Sequence, residues 1–386
     1  MANAWEQVSW IGAEALRHLE DALVVIGMCA KDVTSEYNVR PNGYSVGDTV
    51  SFKTRPEYSV QEFSTSITTQ DILESKRSLK IEKHYDVSVA ITAKEMALDL
   101  ESFSSQVIVP AAYALASKVE VYVASKISEA CGLYVSDTLL ETAADMALAR
   151  KAATIQQLNN ERFGLVDLNL EATMLGKDYF SSAAAAGGSG ERTLATALLG
   201  YKMGCNWYSS INFPTPASAF TPGTMVCQTD NGTSGTQYNK IGDTSLIVDT
   251  QTASQSVKVG DRLQIAGVRR PLKVKTAIGD TSSTTEVELV DPISEVIPDN
   301  AAVTVIGTTH NYTIQGAIFD SQSIAVAFPM LDAPADKPSV SVSNNGVSIR
   351  VVTGYDMTTK KTTLSMDLLV GAFALDPRRI TLLASY

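Results

Sequence analysis

One apolar stripe constrains this chain more than any other feature. Ile108, Ala112, Leu115, Val119, Val123 and Ile127 recur at three- and four-residue spacing, while Lys118, Glu120, Ser125 and Lys126 fall off the stripe. The pattern predicts a helix over residues 103–131, which at 1.5 Å per residue is about 40 Å long. That is long for a globular domain, and it reads as a spine along which other elements lie. Ser104 or Ser105 is placed to cap its start and Gly132 to cap its end. Pro110 either kinks it or marks its true first turn.

The flanking segments have other periods. Trp5, Val8, Ile11, Ala15, Leu16, Leu19, Leu23 and Ile26 predict a helix over residues 2–30. Residues 38–98 read as strands. Gly47-Asp48 is a turn signal, after which Val50 and Phe52 alternate with polar residues. The polar run TRPEYSVQEFSTSITTQDILESKR follows, and SLKIEKHYDVSVAIT then alternates again. A long excursion with no core of its own points to a binding role, such as pairing with another chain. Residues 137–160 predict a third helix, VDLNLEATMLG a buried strand, and SSAAAAGGSGER a flexible loop.

From Pro214 to about Gly307 the chain turns rich in Thr, Ser, Gly and Asp, with no helical period. Short strands are expected at Thr224–Thr229, Thr244–Asp249, Asp261–Ala266, Pro271–Thr276, Glu286–Val290 and Ala302–Ile306. Their even spacing predicts a small antiparallel barrel or sandwich, inserted into a mixed α/β chain. Beyond it, NYTIQGAIFDSQSIAVAF predicts a strand and a short helix. VSVS, SIRVVTGYD, KTTLSMDLLVGAFAL and RRITLLASY predict four closing strands, with Asn345-Gly346 as a hairpin turn.

Length and charge bound the function. The 386 residues suit two or three domains. A net charge of −11 argues against a protein that grips nucleic acid, though not against one that encloses it. Cys29, Cys131, Cys205 and Cys227 are far apart and suit reduced thiols in a cytoplasm. Met1–Glu20 shows no signal-peptide pattern, and stretches such as Ala22–Ala30 and Val107–Ala116 are too short to span a bilayer, so no membrane partner is expected.

Chemistry is sparse. His18, His84 and His310 have no second histidine at ligand spacing and read as surface or partly packed residues, so no metal site is expected. The segment AAAAGGSGERT lacks the phosphate-loop lysine, no GxSxG occurs, and Gly188-Ser189-Gly190 has no dinucleotide fingerprint around it. Glu95 with Asp99, and Glu141 with Asp145, read as solvated faces. The pairs Arg269-Arg270 and Arg378-Arg379 read as surface salt-bridge donors, able to meet acidic partners or phosphate. No catalytic residue and no cofactor are expected. The chain reads as a structural or binding protein, not an enzyme.

The order of elements resembles the Hong Kong 97-type fold of tailed-phage major capsid (coat) proteins. In detail it is similar to the coat proteins of Salmonella-type short-tailed phages, which carry an inserted β-barrel domain. Three segments carry the likeness: VIVPAAYALASKVEVYVASKI at 107–127, VKVGDRLQIAGV at 257–268 and LDPRRITL at 375–382. They are similar to that family's spine helix, insertion domain and final peripheral strand. The resemblance implies an α+β fold with an N-terminal helical arm at 1–40 and an extended β-loop at 41–82. A peripheral domain with the spine helix would take 83–135. An axial domain would take 136–214 and 309–337 around an inserted β-barrel at 215–308. The C-terminal strands of the peripheral domain would take 338–386.

The same resemblance implies self-assembly into hexamers and pentamers of an icosahedral virion shell. That shell would be built in the host bacterial cytoplasm on a scaffolding protein. It would carry a portal protein and enclose double-stranded DNA without sequence-specific binding. Inter-subunit contacts are expected at Phe52, Lys53, Arg55, Tyr58, Phe63, Arg77, Arg269, Arg270, Arg378 and Arg379. Some relatives crosslink this loop through Lys and Asn. Lys53, Lys76 and Lys80 are available here, but no crosslinking motif accompanies them. The alternatives are an encapsulin-like bacterial compartment shell, a β-rich adhesin, and an enzyme with an unrecognised site.

Overall fold

The computed structural model describes residues 2–31, 49–53, 76–92, 103–156, 161–182, 193, 195–213, 217–218, 225–227, 239–250, 257–276, 285–298, 300–306, 312–334 and 336–385. The helices are α1 (Ala2–Ala22), α2 (Val24–Gly27), α3 (Val109–Ser125), α4 (Ala143–Ile155), α5 (Leu168–Leu175) and α6 (Asp178–Ser181). The first strands are β1 (Thr49–Lys53), β2 (Lys76–Lys80), β3 (Lys83–Thr92), β4 (Gly132–Ser136), β5 (Arg162–Val166), β6 (Gly200–Lys202), β7 (Cys205–Ser209) and β8 (Ala217–Ser218). Then come β9 (Met225–Cys227), β10 (Ser245–Thr250), β11 (Arg262–Ile265), β12 (Leu272–Lys273), β13 (Thr285–Glu288) and β14 (Ala302–Val305). The last are β15 (Tyr312–Asp320), β16 (Ile324–Ala327), β17 (Ser339–Asn344), β18 (Val347–Asp356), β19 (Lys361–Ala374) and β20 (Thr381–Ser385). They fall into two compact units: Met1–Phe52, Arg77–Lys126 and Ser321–Leu375; and Lys53–Lys76, Ile127–Asp320 and Asp376–Tyr386.

The first unit is built on α3. Ile108, Ala112, Leu115, Val119 and Val123, the predicted stripe, are all buried. Pro110 is the second residue of α3 but lies inside the continuous helical run Ser104–Glu129, so its missing N–H falls just where the ladder changes its hydrogen-bond step. A π turn over Ser104–Ile108 precedes it, so neither serine caps the helix as expected; the Ser104 hydroxyl donates instead to Glu14 on α1. Glu120 departs further from expectation. It lies off the stripe yet is buried, because its carboxylate accepts the Val25 backbone N–H at 2.9 Å. By length and composition the helical run Ser104–Glu129 is able to cross a bilayer, contrary to the expectation from shorter apolar stretches; here 56% of its most apolar window is buried in the fold.

A five-stranded antiparallel sheet completes this unit, in the order β16-β19-β18-β17 with β3 on β19. β19 is 14 residues long. It pairs its first ten residues with β3 and its last four with β16. α1 packs on β17 closely enough that a Cβ at Gly12 would lie 2.8 Å from Val340 Cγ1. The β17–β18 hairpin turns at Asn345 (φ 47°) and Gly346 (φ 78°), the left-handed pair that a two-residue hairpin needs.

The second unit holds a seven-stranded mixed sheet, ordered β4-β20-β15-β5-β7-β6 with β8 on β15. Leu140, Met146, Ala149, Leu170, Met174, Phe180 and Trp207 form a core against it. α5 replaces the strand expected at VDLNLEATMLG. Asp167 caps it by accepting the Leu170 N–H at 2.8 Å, and Leu170 and Met174, one turn apart, both face the core. Asp145, expected on a solvated face, is buried near the start of α4, where its carboxylate accepts from the Leu140 N–H and the Tyr134 hydroxyl. Gly132 opens β4 rather than capping α3. A Cβ there would lie 2.9 Å from Ile380 O, so the strand needs glycine for close approach. Residues 312–327 form β15 and β16 with a turn between them, not a strand and a helix. β20, expected beside β17–β19, pairs with β15 and runs parallel to β4; its first four residues are buried, and a strand buried on both faces belongs inside a sheet.

The strands β9 to β14 overlap all six segments predicted between 215 and 308. They form an antiparallel sheet in the order β12-β11-β14-β9-β10-β13 around their own core of Leu246, Val248, Leu263, Ile265, Val287 and Val303. Among the described residues its ladders do not close into a barrel: the terminal strands β12 and β13 meet at the Val274–Leu289 bridge, with Lys275 N–H donating to Glu288 O at 2.8 Å and Val290 N–H to Lys273 O at 2.9 Å. With two laddered residues, β12 is too short to carry a longer seam.

Candidate assembly surface

β1 and β2 form a two-stranded sheet at the base of the long polar excursion. They are rooted in the first unit. Phe52 stacks on Phe373 with ring centroids 5.6 Å apart, and Leu79 is fully buried beside Ala325 and Ala327. A Cβ at Gly371 would lie 2.7 Å from Lys80 O, so β2 approaches β19 over bare backbone. Of the residues expected to touch a neighbour, Phe52 and Arg77 are half-buried at this base. Lys53 ends β1, its side chain outside the description, and Arg55, Tyr58 and Phe63 lie outside the described residues.

The two arginine pairs differ. The Arg269 side chain is exposed, and its backbone N–H donates to Glu295 at 3.0 Å, whereas Arg270 is buried. Arg378 grips Asp376 through two bonds, of 2.8 and 3.1 Å. Arg379 donates to Asp320, a fully buried carboxylate. The second pair is therefore engaged inside its own chain, contrary to the reading of both arginines as surface donors.

An apolar surface that the sequence did not announce lies at β6, the end of the seven-stranded sheet among the described residues. β6 and β7 join through Met203 (φ 53°) and Gly204 (φ 80°). Cys205 and Trp207 point into the core, while Leu198, Tyr201, Met203, Tyr208 and Ile211 are exposed, Ile211 by 79%. Tyr208 lies 6.4 Å from Phe163, which continues the aromatic row inward. Apolar side chains gathered at a strand edge suit contact with another chain. The available signal was the alternation of Tyr201 and Tyr208 with buried neighbours, too short to stand out.

Two charged clusters stabilise the units. In the first, Asp367 accepts from Arg350 Nε at 3.0 Å and pairs with His84 Nε2 at 2.8 Å. Burial opposes ionisation of Asp367, but the bonds from Arg350 and His84 outweigh it and hold the carboxyl below its ordinary value. A carboxyl depressed in the folded state stabilises above its unfolded pKa, and the gain fades as pH falls through the folded one. Arg350→Met is therefore expected to lower stability above pH 4, with the gap to wild type closing as pH falls below about 3.8; thermal unfolding across pH 2–7 checks this.

In the second unit, Arg262 and Lys273 reach the backbone carbonyls of Ala130 and Ser128. Lys273 Nζ donates to Ser128 O at 3.1 Å, and burial brings its ammonium down to about 8. Cys131 donates to Asp291 at 3.0 Å, and burial pushes its thiol up. Cys29, Cys131 and Cys205 are free, buried thiols. Among the described residues no group of three His, Cys, Asp or Glu is placed to hold a metal ion.

No protein-family model matches the sequence, and no curated protein matches it. Solved structures do. A chain of Mycobacterium phage Che8 is 10% identical and superposes with a TM-score of 0.54, over 94% of this chain and 90% of that one. A chain from the capsid structure of cyanophage P-SCSP1u is 13% identical with a TM-score of 0.47, over 89% and 84%. A chain from the mature capsid of bacteriophage PhiM1 is 9% identical with a TM-score of 0.45, over 88% and 82%. The chain shares its fold with the Mycobacterium phage Che8 chain over nearly the whole length of both.

Proposed function

We propose that this chain is a major capsid protein of the Hong Kong 97 type, which assembles into the icosahedral shell of a tailed phage around its double-stranded DNA. The observation that carries this reading is the fold shared with the Mycobacterium phage Che8 chain over 94% of the present one. The exposed aromatic edge at β6–β7 supports it, because a shell subunit needs wide contacts with its own copies. The net charge of −11 supports it too, since an acidic wall lets packaged phosphate slide.

In this reading 1–40 is the arm and 41–82 the loop that lies on a neighbouring subunit. Residues 83–135 and 338–375 belong to the peripheral domain, and 136–214 and 309–337, together with the final strand β20, to the axial domain. Residues 215–308 are an inserted, nearly closed β-barrel that stabilises its own subunit and touches neighbours across local symmetry axes. Phe52, Lys53, Arg55, Tyr58, Phe63, Arg77 and Arg269 serve as contacts around the loop and the insert. Hexamers and pentamers form on a scaffolding protein with a portal, in the host cytoplasm, and the virion capsid is the final location. The protein catalyses nothing. An encapsulin-like compartment shell and a β-rich adhesin are less favoured.

Sedimentation velocity of the purified full chain tests the reading. A fast boundary far above the 41.3 kDa monomer is expected, and it should shrink when Tyr201 and Tyr208 are both changed to Ser. A monomer or dimer at every concentration and salt would count against it.

A further inference from the structure

β18 outruns its neighbour. Val352 pairs with Ser339, the first residue of β17, yet β18 continues to Asp356. Beside this overhang lies an open groove of about 630 Å³, with walls from the end of β18, the start of β19 and Lys337-Pro338. Its volume is within the ~300–1,000 Å³ of small-molecule sites.

The backbone opens the groove. Thr353 N–H donates to Pro338 O at 2.9 Å, but proline has no N–H to return to the Thr353 carbonyl. In an antiparallel strand every second residue turns its N–H and C=O to the same side. Tyr355 therefore aims both groups the same way as Thr353, beyond the start of β17. Gly354 supplies the floor, since a Cβ there would meet nothing within 4 Å. It pairs with Thr363, and Asp356 lies two residues along, so the three share a face. The groove reaches Thr363 over bare backbone.

The side chains define the guest. Tyr355 is 54% exposed and lines the groove with its register partner Thr362. Asp356 accepts from Thr358 N–H at 2.8 Å and from the Thr359 hydroxyl at 2.7 Å, which fixes that wall. Lys337 contributes one ammonium against this one carboxylate. The hydroxyls both donate and accept. A single lysine does not hold a polyanion, and threonine walls do not suit an acyl chain. Tyr355 is the one residue that aims both backbone groups past β17, whereas an added peptide strand needs several. A neutral guest with many hydroxyls and one apolar face meets all of these conditions.

We propose that this groove binds a neutral saccharide, with one pyranose ring on Tyr355 and its hydroxyls on Thr363, Lys337 and the backbone of Thr353 and Tyr355. A tyrosine ring offers an apolar face to the C–H face of a sugar and a polar tip to water. The groove is open, so the sugar is either free or one unit of a longer glycan. The site does not depend on whether the chain builds shells.

The test is saturation-transfer difference NMR of the full chain with cellotriose, lactose and diacetylchitobiose. Saturable transfer to the ring C–H protons of at least one of them is expected. Tyr355→Ser should weaken that binding about tenfold, the loss of one aromatic contact. Gly354→Val puts a side chain that suits a strand into the empty space, so it should abolish binding while Tm holds. Hydroxyethylcellulose and glycol chitin, added as competitors, distinguish the sources: displacement points to a polysaccharide, and no displacement to a free saccharide. An equal response from wild type and Gly354→Val would overturn the proposal, because the sugar would then lie elsewhere. So would the absence of saturable transfer to all three sugars.

Discussion

Arg262→Ala is expected to cost about 3 kcal/mol and to lower Tm by roughly 6–12 °C, one of the largest effects of any single change in this chain. Arg262 is 4% exposed. Its guanidinium donates twice to Ala130 O, at 2.7 and 3.2 Å, and again to Gly260 O at 3.3 Å. The bonds to Ala130 O tie the sheet of β9–β14 to the segment before β4 within the second unit. Truncation leaves a void and a buried carbonyl with neither protein nor water to meet it. Arg262→Lys should recover little, because a single ammonium does not reproduce the fork on Ala130 O. Differential scanning calorimetry of the two variants beside wild type checks both points. A loss below about 1 kcal/mol for Arg262→Ala would show that the guanidinium's burial costs nearly as much as its bonds return.

Gly164→Ala is the second. The added Cβ would lie 2.4, 2.7 and 2.8 Å from three carbons of the Trp207 ring. The ring has no room to yield: Trp207 is 3% exposed, and its indole N–H is held by Lys202 O at 3.1 Å. Since β5 and β7 are parallel neighbours there, relief requires parting the strands. A loss of about 3 kcal/mol is expected, with a changed near-ultraviolet dichroism from the displaced indole. Gly176→Ala is the contrast. Its nearest atoms would be 3.5 Å away and its φ is −76°, so the change should be neutral or stabilise by up to about 1 kcal/mol. Equal effects at the two sites would remove the steric explanation.

How much of this was legible depended on whether a signal is local. The spine stripe from Ile108 to Val123 and the turn at Asn345-Gly346 follow from period and backbone chemistry, and both stand where expected. The strands β9–β14 were readable because Gly and Asp punctuate them. α5 was missed although Asp167 supplied its cap, because eight apolar-rich residues fit a buried strand equally well. Glu120 looked solvated because nothing local shows that the Val25 N–H, 95 positions away, will claim it. β20 was assigned by proximity in sequence, whereas its partners β4 and β15 come from distant segments. The candidate contacts were legible only in part. Arg378 and Arg379 looked exposed until Asp376 and Asp320 closed on them, and the edge at Tyr201 and Tyr208 becomes a surface only once β6 is seen to end its sheet.

Shell formation is the central claim, and electron microscopy of the purified full chain, produced alone and beside its genomic neighbours, tests it most directly. Closed or partial polyhedral shells, tens of nanometres across, are the predicted result. Discrete small particles under both conditions, with no curved sheets or shells, would contradict it.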